Sequence, residues 1–248
     1  MQLFKKTIAA SLFAAAFTMA APQVFAASVN LTNNGAVFNG TAPEMVLRTP
    51  GGTETQMWVG GYTELVNSVT GTSLFTAGQN ILTWCIEVAL HKGATANYNV
   101  NEVTGASTPS WVSGLEQLFT RFGSQVTNVV TSAAMQLAIW EVVGGDSTLN
   151  LDDGNFQASP MTTGGYVGSS NAAYTTAQGW LNTLNTSAPV WNGYRVVTLG
   201  YADDPKMQDL VTFIPTPLPG AALMFLSALG LGGLARRKSK ADPDALAA

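Results

Sequence analysis

The sequence contains one cysteine, Cys85, and one histidine, His91, and both side chains could take part in covalent chemistry. A cysteine thiolate is a strong nucleophile, and a histidine six residues away could act as its general base or stabilise the thiolate. That pair would fit a cysteine hydrolase, but on an extended strand an offset of six residues separates the side chains by about 20 Å. The simpler alternative is a buried, inert thiol that packs as a small hydrophobic group.

The residues around Cys85 are typical of a β-strand, because residues 81–88 are rich in β-branched and aromatic side chains. Alternation places four apolar side chains on one face, which we interpret as the core face: Leu82, Trp84, Ile86 and Val88. Cys85 then lies on the opposite face, beside Thr83 and Glu87, and Glu87 becomes a second candidate assisting group. A cysteine kept only for packing would lie more naturally on the apolar face.

A glutamine on an apolar helical stripe is the second unusual feature. Residues 127–143 have the pattern of a helix, with Thr127 or Asn128 as its cap and two glycines at its end. Helical spacing places Gln136 on the same stripe as four apolar residues: Val129, Ala133, Trp140 and Val143. A buried carboxamide without a hydrogen-bond partner costs ~1–3 kcal/mol, so Gln136 requires a partner. A neighbouring backbone group could supply one.

These two segments, Trp84-Cys85-Ile86-Glu87 and Met135-Gln136-Leu137-Ala138-Ile139-Trp140, resemble the signature of bacterial thioester domains. In that family the cysteine sulfur is joined to the glutamine side-chain carbonyl, and ammonia is lost. The resemblance extends more weakly to about residue 209. It implies a Cys85–Gln136 thioester that an amine on a partner attacks to form an amide bond, so we expect a covalent binding module and not an enzyme.

A stored thioester must be kept from water, so apolar and aromatic neighbours are expected around it. Trp84 and Trp140 adjoin the two reacting residues in sequence and are candidate shielding groups, although plain core packing would also explain both. Lysines are scarce in the body of the chain, where Lys92 and Lys206 are the only two. Few nearby amines would suit an acyl donor, but a generally low charge content explains the scarcity equally well.

The first 26 residues have the three parts of a secretion signal. Two lysines are followed by an apolar stretch and by Val24-Phe25-Ala26, with small residues at the two positions that a signal peptidase reads. A membrane anchor is the alternative, but the apolar stretch is shorter than the ~20 residues that a bilayer requires. We therefore expect export, with cleavage after Ala26.

The other end carries a second apolar run, residues 218–235, followed by a basic cluster that begins with Arg236 and Arg237. Such a cluster stays on the cytoplasmic side of a membrane. A turn containing Pro215 and Pro217 precedes the run. This order resembles the PEP-CTERM sorting signal of Gram-negative bacteria, with threonine in place of the central glutamate. The resemblance implies an exosortase-type processing enzyme, transient membrane anchoring and delivery to the cell surface or extracellular matrix.

The body between these ends, residues 27–213, has the length of one domain. It carries thirteen acidic and five basic residues, a net charge of −8, which disfavours binding to nucleic acid. One cysteine and one histidine cannot make a zinc site, and the acidic loop at 146–155 lacks EF-hand spacing. We therefore expect neither a metal nor a cofactor.

Short strand patterns in the first half and helical patterns in the middle, followed by two further strands, predict an α+β fold. We expect a β-sandwich or barrel with a helical insertion, an N-terminal signal peptide and one C-terminal apolar helix. The expected organisation has four parts: signal peptide (1–26), thioester-like surface domain (27–213), PEP-CTERM-like sorting and membrane segment (214–238), and short tail (239–248). The favoured function is attachment through the thioester, and the alternative is a structural matrix or biofilm protein without a reactive bond.

Overall fold

The structure is a computed structural model that describes ten stretches of the chain: residues 26–36, 38, 40–49, 54–88, 90, 92–103, 109–144, 148–186, 193–204 and 207–216. The strands in these stretches are β1 (Ser28–Ala36), β2 (Glu44–Arg48), β3 (Thr55–Trp58), β4 (Tyr62–Thr70), β5 (Asn80–Cys85), β6 (Thr95–Glu102), β7 (Gln157–Pro160), β8 (Tyr194–Tyr201) and β9 (Leu210–Pro215). The α-helices are α1 (Trp111–Phe122), α2 (Val129–Gly144) and α3 (Val167–Thr186).

Six antiparallel strands close into a barrel in the order β1-β4-β5-β9-β8-β6. Alternating apolar residues fill its interior, as on β6, where Ala96, Tyr98 and Val100 are buried and the residues between them are exposed. The three helices and β7 lie between β6 and β8 in the chain, and β7 joins a second small sheet of order β3-β2-β7. The prediction of an α+β barrel with a helical insertion is confirmed.

Helix α1 covers part of the outer surface of the barrel. Its Phe119 stacks on Phe213 of β9, with ring centroids 4.0 Å apart, and both rings meet the edge or face of Trp84 at 5.9 Å. Phe122 stacks on Trp180 of α3 at 5.1 Å. These aromatic contacts join the insertion to the wall of the barrel that contains β5.

Helix α2 is buried along its middle, where residues 132–142 are all inaccessible to solvent. Its N terminus is capped as the sequence predicts, since the side chain of Asn128 accepts a hydrogen bond from the Thr131 N–H at 3.0 Å. A helix buried on every side has no polar face to place toward water. Gln136 is therefore enclosed whichever way it turns.

Two expectations for the Cys85 segment are corrected. The strand ends at Cys85 and does not reach Val88, because the backbone bends at residues 86–88. Leu82, assigned to the core face, is 40% exposed, whereas Cys85, assigned to the opposite face, is buried in the core. The reason is that α1 and β9 cover the wall around Trp84, whereas β5 pairs with β9 only through Trp84 and Cys85.

None of the helices that the structure describes has the length and apolar character needed to cross a membrane. All of the predicted signal peptide except Ala26 lies outside the described residues, and so do the apolar run 218–235, Pro217, Arg236 and Arg237. Pro215 is described: it is paired with Tyr194 in the barrel, and the next residue donates its N–H to Gly193.

Candidate functional site

Cys85 lies inside the barrel at the end of β5. Register places Thr83 opposite Tyr62 on β4 and Cys85 opposite Leu210 on β9, so the Cys85 side chain shares the inner face with Thr83. Trp84 points to the other face, where it packs against α1. Only 8% of Cys85 is exposed. At Trp84 and Cys85 both faces of the strand are thus buried, one by the helical insertion and one by the barrel interior.

The Gln136 side chain contacts the backbone of Cys85 through two hydrogen bonds. Its Nε2 donates to the Cys85 carbonyl oxygen at 2.8 Å, and its Oε1 accepts from the Cys85 N–H at 2.8 Å. Gln136 is fully buried. The structure therefore brings together the two residues that the sequence singled out, which are 51 positions apart.

The junction between β4 and β5 explains why a helix can reach this strand edge. The last register pair between these strands is Tyr62 with Thr83, and the preceding Gly61 donates its N–H to the Ser132 hydroxyl of α2 at 3.0 Å. A Cβ on Gly61 would lie 2.6 Å from the Trp84 indole nitrogen, so only glycine allows this close approach. Gln136 takes over the hydrogen bonds of β5 where β4 leaves it, and Ser132 holds the residue that precedes β4.

One of the two hydrogen bonds between Gln136 and Cys85 has the direction that acyl transfer would need. A backbone N–H that points at a carbonyl oxygen stabilises the negative charge that develops there when a nucleophile attacks. The Cys85 N–H does this for Gln136. The thiol and the carbonyl thus belong to two contacting, buried residues, which is the proximity that a reaction between them would require.

The thiol itself is held in its protonated form. Burial raises the pKa of Cys85 to about 12, and the positive charge of Lys92 opposes part of this effect, while Glu87 and Glu64 add to it. At neutral pH the thiolate fraction is then on the order of one in 100,000. Thiolate formation is the energetically demanding part of any reaction at this site.

A buried ion pair adjoins Cys85 inside the barrel, and the sequence analysis did not identify it. Lys92 Nζ lies 2.7 Å from Glu64 Oε1, and their side chains are 6% and 1% exposed. The same ammonium lies 5.1 Å from the ring centroid of Tyr62. Burial raises the pKa of Glu64, against the opposing hydrogen bond and charge of Lys92. One signal was available in the sequence: Glu64 occupies an inner-face position between Tyr62 and Val66.

Trp140 and Glu87 form a second group of side chains next to Cys85 and Gln136. Trp140 is 5% exposed, and its indole Nε1 donates to the Glu87 carbonyl oxygen at 3.2 Å. The Glu87 carboxylate accepts from Gln208 Nε2 at 2.8 Å and from the Asp209 N–H at 3.0 Å. Burial, followed by the charge of Asp209, raises the pKa of Glu87. Glu87 thus fixes the segment after β5 to the start of β9.

Two surface clefts are lined by residues that adjoin the site. One, of about 290 Å³, is lined by Trp140, Ile86 and Val88 together with parts of α2 and the following loop. The other, of about 240 Å³, is lined by Gly61, Tyr62 and Trp58, and Trp58 is 67% exposed. His91 lies outside the described residues, and no cluster that could hold a metal ion occurs among those that are described.

No family model and no curated protein matches the chain. Three chains of solved structures show similarity to it, including the following two. The N-terminal domain of the Streptococcus pyogenes pilus tip adhesin Cpa is 11% identical with a TM-score of 0.40, over 75% of this chain and 99% of that one. The N-terminal thioester domain of a protein F2-like fibronectin-binding protein from Streptococcus pneumoniae is 10% identical with a TM-score of 0.37, over the same shares. At these sequence identities and TM-scores, the similarity does not define a site in this chain, and the candidate site is defined by the geometry of Cys85 and Gln136.

Proposed function

We propose that this protein is an exported surface or matrix protein that attaches covalently to amines through a Cys85–Gln136 internal thioester. The observation that carries the proposal is the pair of hydrogen bonds between the Gln136 carboxamide and the Cys85 backbone. These bonds hold an activated acyl group against the one cysteine of the chain, in a buried site.

The bond-forming step balances without a cofactor. The Cys85 sulfur attacks the Gln136 side-chain carbonyl carbon, so that a C–S bond forms and the bond to Nε2 breaks. The thiol proton ends on the departing nitrogen, which leaves as ammonia. In the later capture step, a partner amine attacks the same carbon. An amide bond forms, the C–S bond breaks, and the Cys85 thiol is released with the proton of the amine.

The alternative is a structural matrix protein in which the same contact serves only to hold α2 against the barrel. One observation favours it: the two hydrogen bonds engage both the nitrogen and the carbonyl oxygen of the Gln136 carboxamide. A buried glutamine in that situation is stable without any reaction. The two functions differ in one measurable property, the covalent state of Cys85.

Trypsin provides a direct test, because cleavage after Arg48, Lys92, Arg121 and Arg195 places the two residues on separate fragments, 49–92 and 122–195. In the thioester form the purified protein is about 17 Da lighter than encoded, the mass of the ammonia lost. The two fragments then remain joined until hydroxylamine or methylamine separates them. A wild-type protein at full mass, with separate fragments and a thiol that titrates freely after unfolding, contradicts the proposal.

The matched controls are Cys85→Ala and Gln136→Ala, each of which removes one reacting group. Both variants should show the encoded mass, no linkage between the fragments and no labelling by methylamine. The alternative structural function predicts that wild type and both variants are alike in all three measurements.

Sorting of the chain is a separate part of the proposal, and it rests on the two ends of the sequence. We propose that the signal peptide directs export and that an exosortase-type enzyme processes the tail after transient membrane anchoring. The body is then delivered to the envelope surface or the extracellular matrix, where amine-bearing partners are available.

A further inference from the structure

A stored acyl group could react with an amine of the chain itself. Lys92 is the only lysine among the described residues, and its ammonium lies inside the barrel, against the ring of Tyr62. Tyr62 pairs with Thr83, and Cys85 follows two residues later on the same face. Diagonal neighbours of this kind have Cα atoms about 7–8 Å apart, within reach of a lysine side chain.

The electrostatics agree with this placement. The charge of Lys92 acts on the Cys85 thiol and lowers its pKa, although burial raises that pKa by more. The scarcity of lysine in the sequence suggested that amines are kept away from the acyl group. The structure instead places one of the two body lysines over the Tyr62 ring, close enough to Cys85 for its charge to act on the thiol.

A free amine in this position would consume the thioester. The nitrogen of a neutral Lys92 would attack the Gln136 carbonyl carbon, forming a C–N bond and breaking the C–S bond. The amine proton would pass to the departing Cys85 sulfur. The product, an internal amide between Lys92 and Gln136 with a free thiol, has the same mass as the thioester but no longer reacts with a partner.

A protonated amine has no lone pair and cannot make this attack. Burial favours the neutral form of an amine unless a counter-ion is present, and Glu64 is that counter-ion, 2.7 Å from the Lys92 nitrogen. Its second carboxylate oxygen, Oε2, has no hydrogen-bond partner among the described residues. Among the described residues, Lys92 is the group that meets this carboxylate as an ion pair.

We propose that the buried Glu64–Lys92 ion pair is a guard that holds Lys92 in its protonated, non-nucleophilic form beside the acyl group. This inference rests on the proposed thioester and deepens it, because it assigns to two residues a role in preserving the bond for an external amine. Glu64 is a positioning residue in this scheme, since it acts only through Lys92.

The test compares the full-length wild type with Glu64→Gln and with the double variant Glu64→Gln/Lys92→Met. In wild type, hydroxylamine should release fragment 49–92 from fragment 122–195. In Glu64→Gln, the linkage should survive hydroxylamine, and trypsin should no longer cut after Lys92 because its amine is acylated. The double variant lacks the amine, so its linkage should again be sensitive to hydroxylamine.

Three outcomes separate the guard from the thioester. A Glu64→Gln protein that is cut after Lys92 and loses its linkage to hydroxylamine, as wild type does, overturns the guard alone. A double variant whose linkage still resists hydroxylamine overturns it as well, because the acceptor would not be Lys92. A wild type at full encoded mass overturns the thioester itself, and the guard with it.

A second measurement decides the matter if Glu64→Gln does not fold. Wild type and Lys92→Arg, which keeps the charge without a primary amine, are incubated at pH about 10, where protonated amines begin to lose protons. Tyr62 and Tyr98, the neighbouring phenols, have pKa values raised by burial, that of Tyr62 to about 12, and stay protonated. Wild type should accumulate the hydroxylamine-resistant linkage and Lys92→Arg should not; equal behaviour of the two overturns the proposal.

Discussion

At the scale of single residues, the proposed formation of the thioester depends on the protonation state of the Cys85 thiol. Because burial raises the pKa of Cys85 to about 12, the thiolate population grows by about tenfold per pH unit throughout the neutral and mildly alkaline range. An exposed thiol, with a pKa near 8.5, reaches its full thiolate population by about pH 9.5. The rate of thioester formation should therefore keep rising between pH 7 and about pH 10, without a plateau.

This pH dependence can be measured on protein whose carboxamide has been restored. Treating the unfolded thioester form with ammonia regenerates Gln136 and the free thiol, and refolding at a series of pH values restarts the reaction. The initial rate is the appearance of the species about 17 Da lighter. A plateau near pH 8 to 9 would mean that Lys92 or another group stabilises the thiolate beyond what burial permits, contrary to this expectation.

Trp140 should protect the finished bond. It lies one helical turn after Gln136 on the same face, is 5% exposed and borders a cleft of about 290 Å³. We expect Trp140→Ala to form the thioester but to hydrolyse it faster, because the cleft would extend to the bond. Mass spectrometry follows hydrolysis as the gain of one water, about 18 Da, at equal folded fraction.

The control variant for Trp140→Ala is Trp84→Ala. Trp84 lies on the face of β5 that is opposite to Cys85. Trp84 packs against Phe119 and Phe213, so its loss should lower the free energy of unfolding by ~3–5 kcal/mol and leave the hydrolysis rate of the folded protein unchanged. If Trp140→Ala hydrolyses no faster than wild type, Trp140 is a packing residue only.

At the scale of elements, the site depends on the point where β4 separates from β5 and α2 takes its place. Gly61→Ala should disturb this junction, because the new Cβ would lie 2.6 Å from the Trp84 indole nitrogen and 2.8 Å from the Thr83 carbonyl oxygen. We expect lower stability and a smaller fraction of protein with the thioester mass. The matched control is Gly60→Ala, whose Cβ would lie no closer than 3.7 Å to its neighbours. Equal thioester fractions in the two variants would show that the junction does not position Gln136.

The elements that carry the two reacting residues could be predicted from the sequence, because hydrophobic period and capping residues are local signals. Asn128 and the apolar spacing gave α2, and β-branched and aromatic residues gave β5. The exposure of Leu82 could not be predicted in this way, since it depends on how far α1 and β9 extend over the strand.

The ion pair between Glu64 and Lys92 was also beyond local patterns. These residues are 28 positions apart, and they meet only because the barrel closes and its register turns both side chains inward. Gln136 and Cys85 are farther apart still, but a recognisable motif surrounds each of them. A resemblance to a known signature therefore supplied the pair, whereas the inner-face position of Glu64 was the one sign of its charged neighbours and did not identify Lys92 as the partner.

At the scale of the whole molecule, we expect the closed barrel and the proposed sorting tail to be separable parts of the chain. Strand β9 ends at Pro215, so every barrel strand is complete before the apolar run begins at Leu218. Deleting residues 218–248 should leave the fold and the thioester mass intact while the body is released into the medium instead of staying with the envelope.

Deleting from residue 210 onward also removes β9, including the partner of Cys85 in the sheet, and should abolish both folding and thioester formation. The comparison uses fractionated cells, the melting transition and intact mass. Should the chain that lacks only residues 218–248 remain with the envelope as the full-length protein does, the tail is not the sorting element.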